Sequence, residues 1–337
     1  MRPNSGVGPR NDVSGKKILY VFPGQGSQYR GMGSDLTAEF PTARALYDRA
    51  GALLGYDLAE LSFRDPRDEL KLTRFTQPAL LTHQVVCLEI FRELASDAVR
   101  PALAAGHSVG EYAALVAAGA LKFEQALQLV ARRGQLMSEL GRGGMLATTL
   151  DWSSAAALAD KHYCGIGASN LPDQTVIAGD SADLDRLAAE LETAFPNKRG
   201  VRLNTEGAFH TYLMVAAAQE FRSALDQTEF ASVTVDALSN YTGKLHENSP
   251  AAIRSRLFFQ LFNPVRWVDC MNAAIDAGVD TIVEFGGGIG KGEGPDGKRP
   301  NLESIVKKSL KAREHQAQYL PAINAASLRS TAQQLRN

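Results

Sequence analysis

The pentapeptide Gly106-His107-Ser108-Val109-Gly110 constrains the fold of this chain more than any other feature. An apolar run at 101–105 leads into it, and EYAALVAAGAL, rich in helix formers and small residues, follows without a break. A G-x-S-x-G between strand and helix predicts a sharp turn whose flanking glycines avoid a Cβ clash. The serine Oγ is then lifted out of the chain at the positive end of a helix. The bare motif also occurs as a plain structural turn, so its flanks matter. KILYVF (17–22) reads as a second buried strand, stopped by Pro23 and Gly24 and opening into the loop PGQGSQ. Helical spacing of apolar positions recurs at 36–54, 77–95 and 124–139.

After the glycine-rich GRGGM (141–145) the texture changes. MLATTL, SAAALAD, a run near 162–168, TVIAG (175–179), a helical stretch at 181–195 and a run near 200–204 give a β-α-β-β-α-β order. A helix from about 212, TVDALSN, a helix opened by NPVRW and the strand DTIVEFG then resume the first pattern. The fold class predicted is α/β. A large α/β-hydrolase-like subdomain (16–140 and 208–319) carries an inserted ferredoxin-like subdomain (141–207). Residues 1–15 are polar, lack the apolar core of a signal peptide and read as a disordered leader. Residues 320–337 read as a loose polar tail.

Of the 337 residues, 36 are Lys or Arg and 37 Asp or Glu, a net charge of -1 that leaves no global footprint for nucleic acid or an anionic membrane. No apolar stretch is long enough to predict a transmembrane helix. Cys87, Cys164 and Cys270 are widely spaced and read as small buried apolar residues in a reducing, cytoplasmic setting. No metal site is predicted.

A serine nucleophile needs a base, and six histidines are available. His107 adjoins Ser108 but should point elsewhere. His246 and His315 lie in polar segments and read as solvent-exposed. His210, in GAFHTYLM, sits among apolar residues. An imidazole suits proton transfer near neutrality, yet a satisfied core histidine would look the same here.

Seven segments carry a resemblance: FPGQGSQYRGMG (22–33), TQPAL (76–80), GHSVGEYAALVAAGAL (106–121), RRGQLM (132–137), ASNLPDQTVIAG (168–179), GAFHTYLM (207–214) and NPVRW (263–267). In this order the chain resembles the malonyl-CoA:acyl-carrier-protein transacylase family, which includes stand-alone acyltransferases of fatty-acid and polyketide synthesis. The resemblance spans roughly 17–310. It implies Ser108 as the nucleophile that carries the acyl group and His210 as the base, oriented by the backbone carbonyl at Gln260. The backbone N–H groups of Val109 and Gln25 would form the oxyanion hole, and Arg133 would bind the malonyl carboxylate. Asn240 would stand near Gln260 as a supporting polar group, and it is grouped with Asn170 among the substrate-binding residues. Phe209, the bulky residue before the histidine, implies a preference for malonyl over branched acyl groups. Met137, Leu213 and Met214 read as core.

No tightly bound cofactor is implied. Malonyl-CoA, a coenzyme A thioester, would be the donor and the phosphopantetheine thiol of an acidic acyl carrier protein the acceptor. Lys291, Lys298, Arg299, Lys307, Lys308, Lys311 and Arg313 outnumber the acids of 291–313 and could steer such a partner. The chain departs from the family at Gly207, at Thr211, in EFGGG (284–288) where E-x-GPG is commoner, and in the insertion GKGEGPDGKRPN (290–301). The insertion lacks the residues of a phosphate-binding loop and reads as a flexible surface loop. A related thioesterase that releases its acyl group to water is the competing enzyme class.

Overall fold

The computed structural model describes residues 15–96 and 99–336, so the leader, except Gly15, lies outside the described residues. Ten strands form two sheets: β1 Ile18–Phe22, β2 Leu103–Gly106, β3 Gly144–Thr148, β4 Gly165–Leu171, β5 Gln174–Gly179, β6 Gly200–Leu203, β7 Asp236–Ala237, β8 Val265–Arg266, β9 Thr281–Phe285 and β10 Gln318–Ala322. The first sheet has the order β10-β9-β1-β2-β7 with every pair parallel. Its central strands are buried throughout, so their sequences (ILYVF, TIVEF) are runs of apolar and β-branched residues without alternation, interrupted only by the buried Glu284. Phe22 pairs with Gly106, which sets the end of β1 beside the end of β2 and the loops that follow them side by side.

The second sheet has the order β6-β3-β5-β4-β8. Its first four strands pair antiparallel, and β8 joins β4 in parallel through Ala168 and Val265. Helices Trp152–Lys161 and Ser181–Ala194 pack on this sheet and close a small core of Leu146, Leu150, Leu158, Ile177, Leu184 and Leu187. Met145, Ala168, Val176 and Ala178, on the same sheet, join the large core instead. The space between the two sheets is therefore lined by both.

Two expectations are corrected. Residues 318–322 are the edge strand β10, and Ala325–Arg336 is a helix that buries Ala325, Leu328, Ala332 and Leu335. The segment read as a loose tail is part of the first sheet and its packing, because its few apolar residues recur at helical spacing among many polar ones. TVDALSN supplies only the two-residue β7 before the chain turns away.

Candidate active site

The turn after β2 is dictated by its glycines. A Cβ on Gly106 would lie 2.0 Å from the Gly110 carbonyl carbon, and one on Gly110 would lie 2.2 Å from the Phe22 oxygen. Ser108 between them holds φ of 54°, a left-handed conformation that L-residues adopt only under constraint. Helix Gly110–Ala117 starts directly behind, with Val109 as its cap. The first N–H groups of a helix have no intrahelical acceptor and point outward.

His210, itself at φ 64°, reaches Ser108 from another part of the chain. Its Nε2 is 2.7 Å from Ser108 Oγ, and its Nδ1 is 2.8 Å from the Gln260 carbonyl oxygen. A carbonyl can only accept, so Nδ1 carries the proton and Nε2 accepts from the serine hydroxyl. Burial, and then the charge of Arg133, push this imidazole down to about 3. It is a neutral imidazole held in one tautomer by a carbonyl, with no carboxylate on Nδ1.

Arg133 is completely buried. Its Nη1 donates to Gln77 Oε1 at 2.7 Å, and its Nη2 donates to Ser108 Oγ and to Gln260 Oε1, each at 3.2 Å. All three acceptors are neutral, and Nε has no partner among the described residues. A buried cation satisfied only by neutral oxygens favours an anion beside it. Arg133 is not among the residues lining the cavity, but two of its three acceptors, Gln77 and Ser108, are.

The cavity above Ser108 has a volume of about 510 Å³. The loop after β1 contributes Gln25, and Val109 and Ser108 form the floor. Asn170, Met145, Val176 and Phe209 line the side of the second sheet, while Asn301, Leu302 and Ile305 close the far side. His107 Nε2–H donates to Asn170 Oδ1 at 2.8 Å, and both residues line the cavity. Met137, buried as a core residue, also faces the cavity.

The structure thus brings Ser108, His210, Gln260, Arg133, Val109, Gln25, Phe209 and Asn170 to one place. Asn240 is the exception among the substrate contacts. It is fully buried behind the turn, accepting from Ser108 N–H at 2.7 Å and donating to the Gly106 carbonyl at 2.7 Å. Both ends of its amide are spent on backbone, so it holds the turn, and it is not among the residues lining the cavity. His246 is also corrected: its ring is buried, with Nε2 2.8 Å from Glu111 Oε1. His315 is only partly exposed and bonds the Val279 carbonyl at 2.6 Å. Gln77 and Glu111 were not singled out in the sequence. The available signal was a polar or charged residue inside an otherwise apolar helix, in TQPAL and in GEYAAL.

A family profile described as an acyl transferase domain matches residues 19–286. The malonyl CoA-acyl carrier protein transacylase of Bacillus subtilis (strain 168) is 38% identical over 281 residues, which cover 81% of this chain and 87% of that one. This chain belongs to the malonyl-CoA:acyl-carrier-protein transacylase family. The Escherichia coli (strain K12) transacylase is 38% identical over 280 residues, covering 81% of this chain and 89% of its own. Among solved structures, the Coxiella burnetii transacylase matches with a TM-score of 0.84 and 32% identity, over 96% of this chain and 98% of that one. A malonyl-transacylase solved in complex with a type II polyketide acyl-carrier protein matches with a TM-score of 0.85 and 32% identity, over 95% of this chain and all of that one. The chain is an acyltransferase of this family, with its α/β architecture of two sheets.

Proposed function

We propose that this enzyme moves a malonyl group from malonyl-CoA to the phosphopantetheine thiol of an acyl carrier protein in two half-reactions. In the first, Ser108 Oγ passes its proton to His210 Nε2 and attacks the thioester carbonyl. The N–H groups of Val109 and Gln25 receive the developing oxyanion. The carbon–sulfur bond breaks, His210 returns the proton to the coenzyme A sulfur, and malonyl remains as an ester on Ser108. In the second, the carrier thiol gives its proton to His210 and attacks that ester. Ser108 leaves, taking the proton back. A thioester is reactive enough that a base held by a carbonyl suffices. The reading needs no resident cofactor, and three buried free thiols suit a reducing cytoplasm.

The observation that carries this reading is one hydroxyl shared by a neutral imidazole at 2.7 Å and a buried guanidinium at 3.2 Å. The guanidinium is the element a simple esterase lacks: it favours an acyl group that ends in a carboxylate. Phe209, 5% exposed and lining the cavity, restricts a branch at the carbon next to the thioester. The strand order β6-β3-β5-β4 and the two helices on one sheet support a ferredoxin-like reading of 141–207, inserted in an α/β-hydrolase-like body.

The test is intact-mass spectrometry after incubation with malonyl-CoA, then with a phosphopantetheinylated carrier. One malonyl adduct that Ser108→Ala abolishes, and that the carrier removes, is the expected result. Release of free malonate faster than carrier loading would make this a hydrolase, and an adduct that persists in Ser108→Ala would remove the nucleophile.

A further inference from the structure

The three groups that meet at the Ser108 hydroxyl come from separate elements: the turn after β2, helix Phe123–Leu140 and the segment before Tyr212. A buried carboxylate is hydrogen-bonded to residues that hold them. Glu111, in the first turn of the helix behind the nucleophile, has no exposed surface. Its Oε2 accepts from the Asn240 backbone N–H at 3.0 Å and from Gln260 Nε2 at 2.8 Å. Each of those residues then holds part of the site. Asn240 fixes Ser108 N–H and the Gly106 carbonyl. Gln260 donates to the Ser108 carbonyl at 3.0 Å, accepts from Arg133 through its side chain and from His210 through its backbone. The second carboxylate oxygen is occupied by His246 Nε2–H.

We infer that Glu111 is the positioning residue that keeps nucleophile, base and carboxylate-binding arginine in one register, with His246 holding Glu111 in turn. One oxygen of this buried carboxylate is shared by two donors whose other ends touch all three groups, so a single acceptor links them. Glu111 touches no substrate. Only the nature of the acyl group rests on the proposed function; the register itself does not.

The experiment uses a fluorophosphonate probe, which reacts with an activated serine whatever the natural acyl group. Its rate of modification of Ser108 is measured per active site, with the folded fraction counted by titration and Tm recorded alongside. Glu111→Ala is expected to slow that rate about 100-fold, the size of effect a misplacement of about 1 Å produces. Glu111→Gln is expected to restore most of it. The amide oxygen still accepts from Asn240 and Gln260, and its NH2 meets His246 once that ring moves its proton to Nδ1, which has no partner among the described residues. His246→Leu is expected to slow the rate several-fold. Glu111→Ala and His246→Leu should also narrow the preference for malonyl-CoA over acetyl-CoA, because Arg133 is released through Gln260.

A folded Glu111→Ala with a per-site rate within about twofold of wild type overturns the inference. So does Glu111→Gln as slow as Glu111→Ala at equal Tm. If Glu111→Ala does not fold, His246→Leu decides: an unchanged per-site rate and an unchanged malonyl preference overturn it. A wild type whose Ser108 labels in a Glu111-dependent way yet takes up no malonyl would leave this inference standing and remove the functional reading.

Discussion

His210 meets two conflicting demands, and the geometry shows which one prevails. A base must accept a proton during reaction, yet burial and the nearby Arg133 charge hold this imidazole at about 3, far below its ordinary 6.5. The neutral form is therefore present at every working pH. Loading measured as kcat/KM for malonyl-CoA should stay flat from pH 8 down to about 5; a break near 6.5 would mean an exposed, ordinary imidazole. Part of the depression is the Arg133 charge, so Arg133→Gln should raise the His210 pKa and move the acid limb upward when acetyl-CoA is the donor. Stopped-flow acylation across pH 3.5–7 would show it. The same substitution tests carboxylate recognition. A hydrogen bond between charged partners contributes about 1.5–3 kcal/mol, so malonyl loading should fall roughly 10- to 150-fold more than acetyl loading. Equal losses would assign Arg133 to the nucleophile alone.

The loops that wall the cavity show where sequence reasoning reached and where it stopped. The turn at Ser108 was legible because G-x-S-x-G is a local pattern, although only Gly106 is forced by its own turn, against the Gly110 backbone; Gly110 is forced by the Phe22 and Pro23 oxygens that the fold brings across. The pairing of residues 108 and 210 was not legible from spacing, since only the fold sets it; the resemblance supplied it. Asn240 and His246 were misplaced for a related reason, because a polar residue in a polar segment gives no sign that its partner is a buried backbone group or carboxylate. EFGGG is the instructive departure. Gly287 holds φ of 65°, a value proline cannot reach, and its N–H donates to His83 Nδ1 at 2.9 Å. The glycine thus feeds a buried imidazole that proline would leave without a donor. A Cβ there would lie 2.6 Å from Ser27 Oγ, which in turn holds the Gly24 carbonyl beside Gln25. Gly287→Ala should cost about 2 kcal/mol of stability from the left-handed backbone alone, read by urea denaturation, and Gly287→Pro more. The insertion read as a flexible loop is also tied down. Gly294 N–H bonds the Arg30 carbonyl at 2.8 Å, Arg30 pairs with Glu293, and Lys298 Nζ caps the Gly290 and Gly292 carbonyls over the Tyr29 ring. Lys298→Ala should raise the rate of thermolysin cleavage within 290–298, and an unchanged rate would return the segment to the status of a free loop.

Over the whole molecule, the buried titratable groups set how stability follows pH, and their signs oppose one another. His83 and His210 are both pushed down to about 3 by burial, so the folded chain keeps them neutral while the unfolded chain protonates them below 6.5. Their contribution is complete above that value and is lost as pH falls toward 3. Glu284 runs the other way. Burial raises it to about 7, although it accepts from the N–H groups of Asn301 and Leu302 and from the Tyr319 hydroxyl. Its contribution is complete below its ordinary 4.5 and is lost as pH rises through 7. At pH 5 the two imidazoles leave the unfolded chain close to two protons ahead, and Glu284 leaves the folded chain most of one proton ahead. Burial lowers His107 as well, so the imidazoles outweigh Glu284 and unfolding free energy should rise with pH between 4.5 and 6.5. Guanidinium unfolding at pH 4.5, 5.5 and 6.5 measures that slope. His83→Gln keeps an acceptor for Gly287 N–H but cannot titrate, so it should lower that slope while leaving acylation at Ser108 unchanged. A slope equal to wild type in that variant would mean that His83 is protonated in the folded chain, and the neutral-core account of this acid sensitivity would fail.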